Sequence, residues 1–120
     1  MVAPKKALGD IAEQRALAFL QARGLTLITR NYRVMCGEID LIMRDEKEIV
    51  FVEVRSRAPN HYGDAIDSIN RNKQKKILRT ALFFLQQKKW LDKINCRFDV
   101  IGVHVDHIEW IKDAFTADIL

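Results

Sequence analysis

Cysteine is scarce in this chain, and its spacing suggests no pairing. Cys36 and Cys96 are the two cysteines among 120 residues. Neither belongs to a Cys-x-x-Cys pattern, which argues against a disulfide scaffold and favours a reducing, cytoplasmic setting. Long apolar runs are missing too. Stretches such as Ile49–Val54, itself broken by Glu53, fall far short of the roughly 20 residues of a membrane-spanning helix. Met1 to Lys6 are short and basic and lead straight into a helical pattern, so no secretory leader is expected. There is no phosphate-cradling or dinucleotide glycine pattern and no nucleophile elbow. Repeats, low-complexity segments and linkers are absent as well. One domain is expected, burying roughly two-thirds of the unfolded surface, enough for a core without crosslinks.

Acidic residues are also missing from one segment. Residues 71–89 carry Arg71, Lys73, Lys75, Lys76, Arg79, Lys88 and Lys89 and no acid. From Asp92 to Leu120 six acids face three bases. The net charge of +4 is modest, but seven bases without an acid suit a polyanionic partner. A well-solvated helix face is the bland alternative.

Apolar spacing predicts the elements. Leu8, Ile11, Ala12, Ala16, Phe19 and Leu20 form one stripe of a helix from about Lys6 to Arg23, stopped by Gly24. Leu25–Thr29 reads as a short strand, with Asn31, Tyr32 and Arg33 as a link or strand edge. Glu38–Arg44 and Ile49–Arg55 read as a hairpin around the polar turn Asp45–Glu48. Much of the second strand should be buried on both faces. Arg57 to Asp64, with Pro59, Asn60 and Gly63, reads as a loop. A helical region follows from near Asp64. Ile66 and Ile69 mark a short first piece; Ile77, Leu78, Ala81, Leu82 and Leu85 mark a longer second piece with a basic outer side. Arg97–Val105 and Ile108–Ile111 are the last strands, joined at Asp106 and His107. The order, one helix, three strands, one helix, two strands, predicts an α/β fold with a mixed sheet.

The hairpin carries the chemistry. If Arg44 faces Ile49, Asp40 falls opposite Glu53 and Glu38 opposite Arg55, all on one face. Two carboxylates directly opposite destabilise a sheet, and the flanking Ile39, Leu41, Ile42, Val52 and Val54 are apolar. A hard divalent cation, which takes oxygen ligands, would resolve the conflict. So would Arg55 neutralising both acids, or a proton held on one of them.

These residues resemble a known family. Gly37-Glu38-Ile39-Asp40-Leu41-Ile42, then Phe51-Val52-Glu53-Val54-Arg55-Ser56-Arg57, then Lys73-Gln74, then Arg97-Phe98-Asp99-Val100-Ile101 look like the bacterial YraN-like family. So do the opening Gly9, Ala12, Glu13 and Ala16 and the ending around Trp110, Ala114 and Phe115. The likeness spans nearly the whole chain. It implies kinship with archaeal-type Holliday junction resolvases in the PD-(D/E)xK nuclease superfamily, with a restriction-endonuclease-like fold. By that resemblance Asp40, Glu53 and the backbone carbonyl of Val54 would hold Mg²⁺ or Mn²⁺. Glu13 would be an outer acid, and Lys73 a second cation. Position 55, where the superfamily has its catalytic lysine, is arginine, which keeps the charge but cannot act as a base.

The function expected is a metal-dependent endonuclease on structured or branched DNA, contacted by Arg57, Lys73, Lys75 and Lys76 and cut symmetrically by a homodimer. A nucleic-acid-binding module without catalysis, and an adaptor for an acidic protein, are the alternatives. Other signals are weaker. Glu38 is either a supporting acid or a partner of Arg55. Asp99 reads as an ion pair with Arg97. His104 and His107 lack a third ligand for zinc. His61 and Tyr62 read as surface loop.

Overall fold

A computed structural model describes residues 5–58 and 65–116. Helix α1 spans Lys5–Ala22 and is followed by strands β1 (Thr26–Val34), β2 (Gly37–Asp45) and β3 (Glu48–Ser56). A 3-10 turn, Ala65–Ser68, precedes helix α2 (Arg71–Gln87), and strands β4 (Cys96–Val103) and β5 (Ile108–Phe115) complete the fold. The five strands lie in sequence order in one sheet. β3 and β4 pair in parallel and the other neighbours antiparallel. A parallel pair needs a long crossover, and α2 supplies it. The mixed sheet and its α-β-β-β-α-β-β order match the sequence expectation. The loop with Pro59, Asn60, His61, Tyr62, Gly63 and Asp64 lies outside the described residues.

The sheet is buried on both faces. α1 sets Ala12, Ala16, Leu17 and Leu20 against Leu41, Met43, Val50, Val52 and Ile101. α2 sets Ile77, Leu78, Ala81, Phe84 and Leu85 against Ile42, Phe51 and Val100 on the opposite face. β3 runs between two such layers, so Ile49, Val50, Phe51 and Val52 are all buried. Two stripe members fall outside the cores: Ile11 is 55% exposed and Leu82 38%. On α2 the place expected for Leu82 belongs to Phe84, whose ring meets Phe51, Tyr32 and Trp90 edge-on.

Three local features refine the sequence reading. The hairpin turn is tighter than four residues, because Asp45 and Glu48 still pair and Glu46 takes φ +55°. Asn31, Tyr32 and Arg33 are not a link but continue β1 past an irregularity between Leu27 and Thr29. Asn31 sits in the strand at φ +49°, a left-handed conformation that asparagine tolerates better than most residues. Finally, α2 begins where Asn70 caps it, its side chain accepting from the Lys73 amide at 2.9 Å. Such a cap satisfies an orphan N–H of the first turn.

Candidate metal centre and its flanks

The β2–β3 ladder has the expected register, with Arg44 facing Ile49 and Leu41 facing Val52. Leu41–Val52 is its last pair on that side. One step further, the Val54 amide donates to Asp40 Oδ2 at 2.8 Å, a backbone donor taken by a side chain where the strands part. Regular alternation also breaks here. Ile39 and Ile42 both join the α2-side core, whereas Leu41 and Met43 join the α1-side core. An odd number of steps separates Ile39 from Ile42, so one reversal of the pleat lies between them. Across on β1, Arg30 faces Leu41 and Tyr32 faces Ile39, which places the left-handed Asn31 opposite Asp40. The irregularity of both strands therefore coincides with the first acid of the site.

Asp40 and Glu53 stand within hydrogen-bonding reach of each other. Glu53 is 5% exposed. Burial, then the charge of Asp40, push its pKa up to about 8. Burial also raises Asp40, against the Val54 amide, which stabilises its carboxylate. The rise is the larger on Glu53, so Glu53 is the member of the pair that takes up a proton first, which relieves the repulsion of two facing carboxylates. Arg55 Nη2 lies 3.6 Å from Glu53 Oε1, and Lys73 Nζ 3.7 Å from the same oxygen. Both are ion-pair distances longer than a direct hydrogen bond. Arg55 does not neutralise both acids: among the described residues its ion pair is with Glu53 and not with Asp40.

Glu13 comes from α1, on the other side of the sheet edge. Its pKa is raised by burial first and then by Asp40, and its Oε1 is buried without a hydrogen-bond partner. It therefore belongs to the electrostatic field of the pair. Among the described residues no three acidic, histidine or cysteine side chains gather closely enough to form a complete cation cage. Asp40 and Glu53 are the close pair, and Glu13 stands behind it. The buried Glu53 carboxyl beside the half-buried Asp40 carboxyl, with the orphan Glu13 oxygen behind them, is a set of hard oxygen donors that fits a hard cation.

The remaining residues sort differently. Glu38 pairs with neither acid nor Arg55. Its ion pair is with Arg33 at 3.3 Å, because the β1–β2 register places those two opposite and the β2–β3 ladder has already ended. Lys73, Lys75 and Lys76 lie on the first two turns of α2, Lys73 turned to Glu53 and Lys76 exposed. Arg57 is not an open surface base: it is 8% exposed. Its backbone continues the parallel pairing, the amide donating to Val103 O at 2.8 Å. Asp99 is structural, as read from the sequence. Fully buried, it accepts from Arg97 Nε, from Trp110 Nε1 at 3.0 Å and from the Asp113 amide at 3.0 Å. His104 and His107 stack at 4.0 Å between ring centres. Cys36 and Cys96 are free thiols. His61 and Tyr62 lie outside the described residues. No helix among the described residues is long and apolar enough to cross a membrane.

Fold and site together define a mixed α/β protein whose sheet parts around a carboxyl pair, one member buried and one half-buried, flanked by cations. The chain belongs to the uncharacterised protein family UPF0102, which matches residues 12–103. A UPF0102 protein of Nitrosococcus oceani is 46% identical over 114 residues, 92% of each chain. One of Coxiella burnetii is 43% identical over 112 residues, 92% of this chain and 93% of the relative. The UPF0102 protein YraN of Salmonella arizonae is 49% identical over 111 residues, 92% of this chain and 85% of the relative.

Proposed function

We propose that this protein is a divalent-metal-dependent endonuclease acting on structured or branched DNA. The observation that carries the reading is the Asp40–Glu53 carboxyl pair, Glu53 buried and Asp40 half-buried, flanked by Lys73 and Arg55. A structural sheet gains nothing from two facing acids; a site for Mg²⁺ or Mn²⁺ needs them. Asp40, Glu53 and the Val54 carbonyl would hold the ion, with Glu13 behind them. When bound, such an ion polarises a phosphoryl oxygen and lowers the pKa of a coordinated water.

The chain's own residues do the rest. Arg55 and Lys73 provide fixed positive charge beside the carboxyl pair, where a phosphodiester gains negative charge on the way to its transition state. Arg55 keeps its proton at any working pH, so it stabilises charge and does not accept a proton. Arg71, Lys75 and Arg79 recur four residues apart on α2. Like charges at that spacing weaken a helix by a few tenths of a kcal/mol, and a phosphate backbone relieves them. Symmetric cutting of a branched DNA calls for two copies related by a two-fold axis.

The arginine at position 55 favours a second reading, a nucleic-acid-binding module that keeps the fold without cutting. A cleavage panel separates the two: linear, flapped and four-way DNA, each with Mg²⁺, Mn²⁺ or EDTA. The nuclease reading expects metal-dependent cuts that Glu53→Gln abolishes while DNA binding persists. If the protein and its Arg55→Lys variant bind DNA and neither cuts, recognition alone is the function. If neither binds, the basic helix serves an acidic protein instead.

A further inference from the structure

We infer that a second anion site, a seat for a phosphoryl group, lies on the α1 side of the sheet beyond the end of β3, built on Arg57. The residue is 8% exposed, yet two of its guanidinium nitrogens, Nε and Nη2, are buried with no hydrogen-bond partner among the described residues. Buried polar groups are nearly always paired, and an unpaired buried cation is among the costliest exceptions. Nε and Nη2 are also a particular pair. Their N–H bonds point the same way and form the fork with which arginine grips two oxygens of a carboxylate or phosphate. Both arms of that fork are unpaired together.

Space and charge around it suit such a guest. Arg57 lines a cavity of about 160 Å³ together with Arg15, Ser56 and His104, with Ile11 and Val105 also on its wall and no acid among the described lining residues. Arg15 is held in place by its own bond, Nη1 donating to the His104 carbonyl at 2.6 Å. The Arg57 backbone is anchored to β4 through Val103. Two arginines from different elements, Arg15 held by its side chain and Arg57 by its backbone, therefore border one small cavity with no acid among the described residues that line it. A tetrahedral phosphoryl group offers two oxygens to the Arg57 fork and leaves others for Arg15 and the Ser56 hydroxyl. The cavity is separate from the carboxyl pair, because Glu53 and Arg55 lie by α2 whereas Arg57 lines the cavity with α1 residues.

The guest has two sources, a phosphodiester of bound nucleic acid or free inorganic phosphate. The seat stands without the nuclease reading, since phosphate alone tests it. The experiment follows the arginine Nε–Hε signals by ¹⁵N NMR during titration with inorganic phosphate and, separately, with a DNA duplex. The expected result is a saturable shift of Arg57, with a smaller one of Arg15, while Arg71 and Arg79 on α2 do not move with phosphate. Arg57→Gln should weaken phosphate binding at least about tenfold, the loss that follows removal of a charge-assisted hydrogen bond. Arg57→Lys, which keeps the charge and lacks the fork, should weaken it as well. A shift of Arg57 with both titrants assigns the seat to a nucleic-acid phosphate, and a shift with phosphate alone assigns it to the free ion. An Arg57 signal that moves with neither, or no more than Arg71 and Arg79 do with phosphate, overturns the site. The titration uses the unaltered protein, so the outcome stands even if the variants fold poorly.

Discussion

Glu53 keeps a proton into the neutral range because burial and Asp40 both oppose its ionisation. Its folded pKa of about 8 lies above its ordinary 4.5, so the folded protein binds that proton more tightly than the unfolded chain. The linked stability is fully present below about 4.5 and is lost as pH rises toward 8. In EDTA, the melting temperature should therefore fall between pH 5 and pH 8, and Glu53→Gln should flatten that fall. Mg²⁺ should restore stability at pH 8, where the pair is ionised, more than at pH 5, because a ligand of the folded state stabilises by mass action. A melting temperature that rises over this range in EDTA would contradict the raised pKa of Glu53. Arg55 is the other decisive residue. In the cleavage assay Arg55→Lys should retain or raise activity, since a lysine pKa can be tuned by its surroundings. Arg55→Ala should lower it strongly, through lost charge beside the transition state.

At the level of elements, the hairpin register was legible because its side-chain pattern is strict: Asp40 and Glu53 came out facing each other. The departure at Glu38 was not legible. Alternation assumes a regular pleat, and nothing in the residues 38–40 announces that the ladder ends at Leu41. Asn31, tolerant of the left-handed conformation, was the available hint. Burial of Arg57 was hidden for a related reason: a base after a strand reads as exposed until the packing of α1 is known. Gly37 shows how closely α2 approaches β2. A Cβ there would lie 2.8 Å from Thr80 Oγ1, and φ is +156°. Gly37→Ala should cost about 1–3 kcal/mol by overpacking, read from urea unfolding. Asp99→Ala should be more severe, about 3–5 kcal/mol, because it strips the buried partner from Arg97 and leaves two further donors unmet.

Across the whole molecule, charge is divided by element. α2 carries bases that, Lys73 apart, have no ion pair among the described residues, on the side of the sheet where Glu53 meets Lys73, while Arg97 near the hairpin turn is matched by Asp45 and Glu48 at 3.1 and 2.8 Å. This division was visible in the sequence as a segment without acids, and the fold adds that its first turn adjoins the carboxyl pair. Replacing Lys75 and Lys76 by Gln should weaken DNA binding equally for all sequences. It should also flatten the salt dependence by about 0.9 in log–log slope for each phosphate the protein no longer neutralises. Unchanged affinity would move the binding face elsewhere. The central claim is that the Asp40–Glu53 pair is a cation seat, and anomalous diffraction from crystals soaked in Mn²⁺ tests it most directly. One anomalous peak should lie between the two carboxylates, within about 2.0–2.6 Å of an oxygen from each, and vanish in Asp40→Asn. Well-diffracting crystals with no peak there, or with Mn²⁺ bound only elsewhere, would contradict the account.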